Sequence, residues 1–408
     1  MYSPGMSHFD RRAFLVYGGA AAATAALGSC LSLGGSPRVR APKSGPLKLG
    51  IIGVGGRGAE NLAAVAGEDI VALCDVDAAH LSAAAVGFPK AAHFVDYREM
   101  IEEVELDAVV ISTPDHTHAP ATLSALRAGL DVYCEKPLAH TLEEARAVTL
   151  AARRYGAVTQ MGTQIHAGDN YRRVVELIRA GAIGRVREAH CWVGKSWGGG
   201  ERSQDRPPVP AGLDWKRWLG TAPRRPYHPD YHPAGWRRFW DFGTGTLGDM
   251  GCHHLDLPFW ALGLKRPQRV HAEGPPVSAE TGPTSLRVRW IFPEVDLWWH
   301  DGGLRPLQFA QGLLPEWGDG TLFVGEGGLL LADYDRHVLL PESKFAGFLP
   351  PPPSIPSSVG HHQEWLEACR ARKTTTCHFG YAGPLTETVL LGVMAYRTGL
   401  DSAAAAHA

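Results

Sequence analysis

The sequence predicts an α/β protein: an N-terminal, doubly wound parallel sheet of the Rossmann type, followed by a second domain built on antiparallel strands. Three observations carry this. Short continuous apolar runs alternate with helical segments from Leu47 onward, as in a parallel sheet covered on both faces. A Gly-x-Gly-x-x-Gly turn follows the first of these runs. Beyond about residue 165 the pattern changes: all twelve tryptophans lie past position 191, and apolar residues begin to alternate. The expected layout is a leader and linker over 1–45, a nucleotide-binding domain over 46–165, a second α/β domain over 166–400, and a frayed tail over 401–408.

The leader reads Asp10-Arg11-Arg12-Ala13-Phe14-Leu15, followed by a charge-free Ala/Gly-rich run from Gly18 to Leu27. This pattern resembles the twin-arginine signal that exports folded proteins, with Asp10 in place of the usual Ser or Thr and Val16 in place of a common Lys. The alternative is a frayed terminus that happens to carry two arginines. The run is short for a membrane span. Leu27-Gly28-Ser29-Cys30 resembles a lipobox, so the expected location is periplasmic, with Cys30 as a candidate lipid anchor and an untethered protein as the open alternative.

The predicted strands of the first domain are Leu47–Val54, Ile70–Asp75, Ala108–Thr113, Asp131–Cys134 and Val158–Met161. One intervening helix is bounded by a capping box, Thr141 with Glu144, and by Gly156 at its far end. In the second domain Leu286, Val288, Trp290 and Phe292, then Val295, Leu297 and Trp299, flank Pro293-Glu294 and predict an antiparallel hairpin. The stretch Ser196–Asp241 is rich in Pro, Trp, Tyr, His and Arg without periodicity; loops this long are functional or disordered, and its aromatic content argues against disorder. Leu349–Pro356 is a proline-rich connector, and a helix over Leu385–Arg397 is expected to pack back onto the body.

A net charge of -2 leaves no basic footprint for nucleic acid. The seven cysteines form no disulfide pattern, because Cys74 and Cys134 fall on strands too far apart in the expected order. Cys252 has no second cysteine at ligand spacing, so no structural zinc is expected.

Three segments carry chemistry. In the first, Gly53 makes the tight turn, Gly55 lets the backbone approach a pyrophosphate, Gly58 permits close helix packing, and Gly56 and Arg57 complete the loop. The helix that follows offers unpaired N–H groups to phosphate. Asp75, about twenty residues on, is placed to bond ribose hydroxyls. With Asp77 nearby and no arginine after Asp75, a 2'-phosphate would be repelled, which favours NAD over NADP.

The second comprises two strand ends, Thr113-Pro114-Asp115-His116-Thr117-His118 and Glu135-Lys136-Pro137, both expected to point into the crevice where such sheets bind ligands. His116 and His118 have the spacing of a metal pair, but no third ligand is evident; helix capping or cofactor contact explains them, and no metal is expected. A surface lysine is the ordinary alternative for Lys136. In the third, Gly243 to Asp256, Asp249 and His253 are four apart and face one way on a helix, an acid and an imidazole suited to proton transfer from an alcohol; a capped helix with a satisfied histidine is the alternative. His254 and Asp256 fall on other faces.

Together these segments, with Gly383-Pro384-Leu385-Thr386-Glu387 and Leu390-Leu391-Gly392 near the C-terminus, resemble the Gfo/Idh/MocA oxidoreductase family over about residues 47 to 400. The resemblance implies that the second domain carries an open, largely antiparallel sheet used in subunit contacts, hence a homo-oligomer. It also implies Lys136, Asp249 and His253 as the catalytic set. The sequence departs from the family pattern at Asp115, where many members have Asn, and it carries Asp-x-x-x-His where the family's glycosidase branch has a different histidine–glycine segment.

The expected cofactor contacts are Gly53, Gly55, Gly56, Arg57, Gly58, Asp75, Thr113, Pro114, His116, His118, Glu135, Lys136 and Gln164. Substrate contacts are expected at His166, Trp236, Arg237 and His253, with Trp192, Trp197 and Trp240 as further stacking candidates. Lys136 is expected to stabilise an alkoxide, aided by a pKa that burial keeps low. The expected function is an exported, NAD-dependent oxidoreductase acting on a hydroxyl of a sugar, polyol or glycoside, with bound and internally recycled NAD. A redox-neutral glycoside-cleaving or epimerising enzyme and a non-catalytic sugar-binding sensor are the alternatives.

Overall fold

A computed structural model describes residues 41–399 and 402–403. The Arg11-Arg12 signal, the Gly18–Leu27 run and Cys30 lie outside the described residues. The first apolar runs form a six-stranded parallel sheet: β1 Lys48–Ile52, β2 Asp69–Cys74, β3 Ala92–Phe94, β4 Ala108–Ile111, β5 Asp131–Glu135 and β6 Thr159–Gly162. Their order is β3-β2-β1-β4-β5-β6, so the chain reverses direction across the sheet between β1 and β4 and opens a crevice at that switch point. β3 is absent from the sequence reading because three residues at a sheet edge, two of them exposed, leave no apolar run to detect. The sheet is apolar on both faces, with every residue of β4 and β5 buried, as expected for strands covered by helices on each side.

Five helices connect these strands: α1 Arg57–Ala64, α2 Ala78–Ala85, α3 Tyr97–Glu103, α4 Asp115–Arg127 and α5 Leu142–Tyr155. α5 shows why its ends were legible: Thr141 and Glu144 exchange side-chain and backbone bonds at the N-terminus, and Gly156 closes the helix at φ 61°. Cys74 and Cys134 sit on β2 and β5, separated by two strands, and each is a buried free thiol.

The second sheet has eight strands: β7 Val186–Trp192, β8 Arg269–Glu273, β9 Arg287–Ile291, β10 Asp296–His300, β11 Gly320–Gly325, β12 Gly328–Ala332, β13 His337–Leu340 and β14 Ser402–Ala403. The order is β13-β12-β11-β7-β10-β9-β8-β14, and only the β7–β10 pair is parallel. The β9–β10 hairpin pairs Val288 with Trp299 and Trp290 with Leu297, which stack on the inner face. Two residues of the tail expected to fray pair instead with the edge of β8, since an open edge offers backbone groups to any strand.

Two helices fill the inner face, Gly245–His254 and the C-terminal helix Phe379–Thr398. The latter begins six residues before its expected start because the His378 side chain caps it by accepting from Gly380 N. Their close approach uses glycine: a Cβ on Gly251 would sit 3.1 Å from Val389, and one on Gly392 2.7 Å from Trp290 and 2.8 Å from Leu247. The first helix is thereby fixed against the sheet with its other side toward the crevice. Among the described residues no helix is long and apolar enough to cross a membrane.

Candidate active site

The crevice encloses about 960 Å³ and runs from the glycine loop to the helix Gly245–His254. At one end, β1 leads into the turn at Gly53, whose φ of +83° and a would-be Cβ 2.7 Å from the Ser112 carbonyl admit no side chain. Gly58 lets α1 lie on that turn: a Cβ there would fall 2.1 Å from the Gly53 carbonyl oxygen. Gly55 has the His80 ring against it, 2.4 Å from a would-be Cβ. Asp75 closes this end. One carboxylate oxygen accepts from Val54 N at 2.9 Å, and the other accepts from Asp77 N at 2.9 Å. These bonds fix the carboxylate on the crevice wall and leave it lone pairs for hydroxyl donors.

At the other end, β5 delivers Glu135 and Lys136. Glu135 is buried and accepts from Asn61 Nδ2 at 2.9 Å, Gln164 Nε2 at 2.8 Å and Arg57 Nε at 3.4 Å, tying α1 to the segment after β6. Lys136 Nζ donates to Asp249 Oδ1 at 2.6 Å and to the Asp249 backbone oxygen at 2.9 Å. Arg237 Nε donates to the same Oδ1 at 3.2 Å, with its guanidinium over the Trp236 ring. His253, one helical turn past Asp249, opens onto the same space with Met250, Lys195 and Tyr334.

The electrostatics follow from this packing. Burial alone would pull the Lys136 ammonium down; the carboxylates of Asp249, Glu135 and Asp115 together outweigh it and hold the pKa above the ordinary value. The expectation of a lowered lysine pKa is therefore corrected, because three acidic groups surround the ammonium. Burial would raise the Asp249 pKa, yet Lys136 and Arg237 drive it far below the carboxylate range. Burial and then the adjacent Lys136 charge push His253 well below an ordinary imidazole, against a smaller opposing pull from Asp249. The result is an ammonium, a carboxylate and a neutral imidazole side by side.

Gly53, Gly55, Gly56, Arg57, Asp75, Thr113, Pro114, His118, Glu135, Lys136, Gln164, Trp236, Arg237, Asp249 and His253 all line this crevice. Three expected contacts do not: Gly58 instead lets α1 pack on the Gly53 turn, and two histidines face elsewhere. His116 turns away, its Nδ1 3.2 Å from the Phe242 oxygen and its Nε2 3.0 Å from the Trp218 oxygen, packed between those two rings. His166, 1 % exposed, is stacked on Trp260 and held 2.9 Å from the buried carboxylate of Asp256, which draws it out of the cleft. His118 binds two carbonyl oxygens, of Pro137 at 2.7 Å and Thr113 at 2.6 Å, so it fastens the two strand ends to each other. Trp192 packs in a cluster with Trp317 and Leu322, Trp240 lies under Arg397, and Trp197 is exposed away from the lining, so none of the three reaches the crevice. Asp115 is buried and accepts from Thr244 Oγ1 at 2.7 Å, a joint between α4 and the helix carrying Asp249.

Sequence reasoning missed His80, Lys195, His232 and Tyr334, which also line the crevice. His80 was within reach, since it lies three residues past Asp77 and shares its face of the first turn of α2. The others come from segments distant in sequence.

Fold and site together define an α/β protein with a Rossmann-type crevice at the switch point of its parallel sheet. Residues 47–163 match the family model described as "Oxidoreductase family, NAD-binding Rossmann fold", and residues 183–293 match the one described as "Oxidoreductase family, C-terminal alpha/beta domain". The two matches cover more than half of the chain, which belongs to the Gfo/Idh/MocA oxidoreductase family and carries its NAD-binding domain. Over 150 residues it is 34% identical to inositol 2-dehydrogenase 3 of Saccharopolyspora erythraea, covering 36% of this chain and 44% of that protein. Over 205 residues it is 31% identical to glycosyl hydrolase family 109 protein 2 of Shewanella sp. (strain ANA-3), covering 44% and 45%. The chain thus matches under half the length of these curated relatives. In fold it resembles GenD2 from gentamicin A biosynthesis in complex with NAD (TM-score 0.62, 20% identity, 90% of this chain and 98% of that one). It also resembles the WlbA dehydrogenase of Bordetella pertussis in complex with NADH and UDP-GlcNAcA (TM-score 0.63, 16% identity, 87% and 97%).

Proposed function

We propose that this chain is an NAD-dependent oxidoreductase acting on a CH–OH group of a sugar, polyol or glycoside. The observation that carries the reading is the 2.6 Å Lys136–Asp249 pair beside His253, at the far end of the crevice that begins at the glycine loop. The residues fit the cofactor: Gly53 and Gly58 tolerate no side chain, and Asp75 lies on the wall with lone pairs to spare. Gly53 to Gly58, Asp75, Thr113, Pro114, Glu135 and Gln164 would hold it. When bound, NAD supplies the hydride acceptor.

The chain's own residues do the rest. His253, neutral at physiological pH, takes the hydroxyl proton at a ring nitrogen. Lys136 spends two of its three N–H groups on Asp249; the third is available to the substrate oxygen as negative charge grows there. Its raised pKa keeps it charged, so it acts as an electrostatic stabiliser. Asp249 positions Lys136 and Arg237, and Arg237, its guanidinium stacked on the buried Trp236 ring, offers N–H donors to a polyhydroxylated substrate.

In this reading residues 46–165 bind cofactor, residues 166–400 bind substrate and form a homo-oligomer, and Arg11-Arg12 direct export of the folded protein to the periplasm, with Cys30 a candidate lipid anchor. Export would carry NAD across already bound, which suits a cofactor regenerated in place. The glycosyl hydrolase relative supports a second reading, transient oxidation followed by glycoside cleavage or epimerisation with no net redox change.

Full-length protein is to be assayed against sugars, polyols and aryl glycosides, with nucleotide released by heat quantified. Turnover of one substrate class that Lys136→Met abolishes supports the proposal, and unchanged turnover in that variant overturns it. Stoichiometric bound NAD(H) supports recycling; protein purified intact and empty refutes it.

A further inference from the structure

At the end of the crevice opposite Lys136, the structure brings together two imidazoles and a carboxylate that the redox reading does not use. Asp77 caps α2: its Oδ1 accepts from Ala79 N at 2.9 Å, which leaves Oδ2 to face His232 Nε2 at 3.0 Å. His80 lies one turn along α2 on the same face. Its ring centroid is 5.6 Å from that of His232, the planes tilted by 55°. One ligand atom from each of Asp77, His80 and His232 falls within 4.8 Å of the other two.

We propose that Asp77, His80 and His232 form a binding site for one divalent transition-metal ion, with Zn²⁺ and Co²⁺ as representative occupants. Three features favour an ion over a simple hydrogen-bonded contact. The carboxylate is aimed before any ion arrives, because its other oxygen is committed to the helix cap. The two segments are fastened to each other independently of the histidines: Ala78 N donates to Gly212 O at 2.9 Å, Asp214 N donates to Val76 O at 2.8 Å, and Asp77 pairs with Leu213. The charge is also right, since Asp75 Oδ2 lies 3.8 Å from His80 Nδ1 and adds a second carboxylate beside the cluster.

Ligand bonds of about 2.0–2.2 Å require the donor atoms to draw closer than they now stand. The His80 side chain, 33% exposed, has the freedom to swing inward. The Asp77 and His232 side chains are 19% and 14% exposed, so an ion can enter from solvent and keep an open position. Two nitrogens and one carboxylate oxygen suit Zn²⁺, Co²⁺ or Ni²⁺ better than Mg²⁺ or Ca²⁺, which prefer all-oxygen sets. An ion here would staple the 196–241 loop to the corner between β2 and α2. The inference stands whether or not the redox reading holds.

The test uses full-length protein stripped with a chelator and dialysed. Co²⁺ is added and followed by its visible d–d absorption, and Zn²⁺ binding is measured by calorimetry, for wild type, His80→Asn, His232→Asn and Asp77→Asn. Asparagine at position 77 keeps the helix cap and removes the charge, so this variant guards against loss of fold. The expected result is one ion per chain in wild type, an imidazole-ligated Co²⁺ spectrum, and affinity reduced in each variant by more than the about 10–100-fold that loss of a supporting partner costs. No binding by wild type at micromolar metal, or binding by the three variants as tight as by wild type, overturns the proposal and leaves the His232–Asp77 hydrogen bond as the whole content of the cluster.

Discussion

The Lys136–Asp249 pair allows a test that needs no knowledge of the substrate. Each side chain is 13% exposed and the charged atoms are 2.6 Å apart. At an effective dielectric of about 20 the attraction is on the order of 6 kcal/mol, but desolvation of both groups offsets much of it, and breaking such a pair costs about 3–5 kcal/mol. Arg237 makes the two single substitutions unequal. Lys136→Met leaves Asp249 with the guanidinium 3.2 Å away, so the carboxylate stays compensated. Asp249→Asn leaves two cations facing one another with no anion between them. The expected costs are about 2 kcal/mol for Lys136→Met and about 3–4 kcal/mol for Asp249→Asn, with a coupling of about 1.5–2 kcal/mol in the double variant.

Urea unfolding followed by tryptophan fluorescence measures all four proteins. In Asp249→Asn the buried ammonium loses its largest favourable partner, so its folded pKa drops relative to the unfolded chain. Stability is then lost as pH falls from the alkaline side, and the penalty is full at neutral pH and fades as pH approaches lysine's usual range. A coupling under about 0.5 kcal/mol, or a larger cost for Lys136→Met than for Asp249→Asn, refutes the electrostatic account.

Three further outcomes are expected. His253→Gln lowers turnover by about 10²–10⁴-fold with NAD affinity unchanged in a fluorescence titration, and the acid limb of wild-type kcat/KM falls below pH 6.5 because burial depresses this imidazole. His116 and His254 are held at about 4, and His300 and His361 at about 3, all by burial. Unfolding lets each take up a proton below pH 6.5, so stability present at neutral pH is lost on acidification, at up to about 1.4 kcal/mol per pH unit for each histidine; equal urea midpoints at pH 7.5 and 5 contradict this. Asp301 is raised to about 7 by burial and accepts from Trp299 Nε1 at 2.9 Å. Its ionisation weighs against folding as pH climbs, so Asp301→Asn raises Tm at pH 8 by more than at pH 5.

What was legible in the sequence follows from the range of the forces involved. The parallel strands announced themselves because burial on both faces demands uninterrupted apolar runs, and α5 because its caps are local chemistry. Asp249 and His253 were legible for the same reason: a four-residue spacing fixes their common face wherever the helix goes. The same geometry argues against His116 and His118 acting together, since residues two apart on a helix point to opposite sides. In the structure one faces the Trp218–Phe242 cluster and the other faces the strand ends. His166 could not be placed in this way. Its direction is set by Asp256, ninety residues on, and by the face of Trp260.

The 196–241 segment shows where pattern reading stops. It lacks periodicity because it has little regular structure, yet Leu213, Trp215, Trp218, Tyr227, Tyr231, Trp236, Phe239 and Phe242 bury one another in a core of their own that also takes in Val76. Arg202 is drawn into that core, donating to Tyr231 Oη and Asp241 at 2.9 Å each, with its guanidinium 4.8 Å from the Phe239 ring centre. Aromatic side chains make such a unit possible without helices or strands, because each buries a large area at the cost of few rotatable bonds. Its placement then follows from two anchors. Asp214 and Gly212 bond the backbone after β2, and Arg237 bonds Asp249. Neither anchor leaves a local trace, because each pairs residues whose proximity exists only after both sheets have formed.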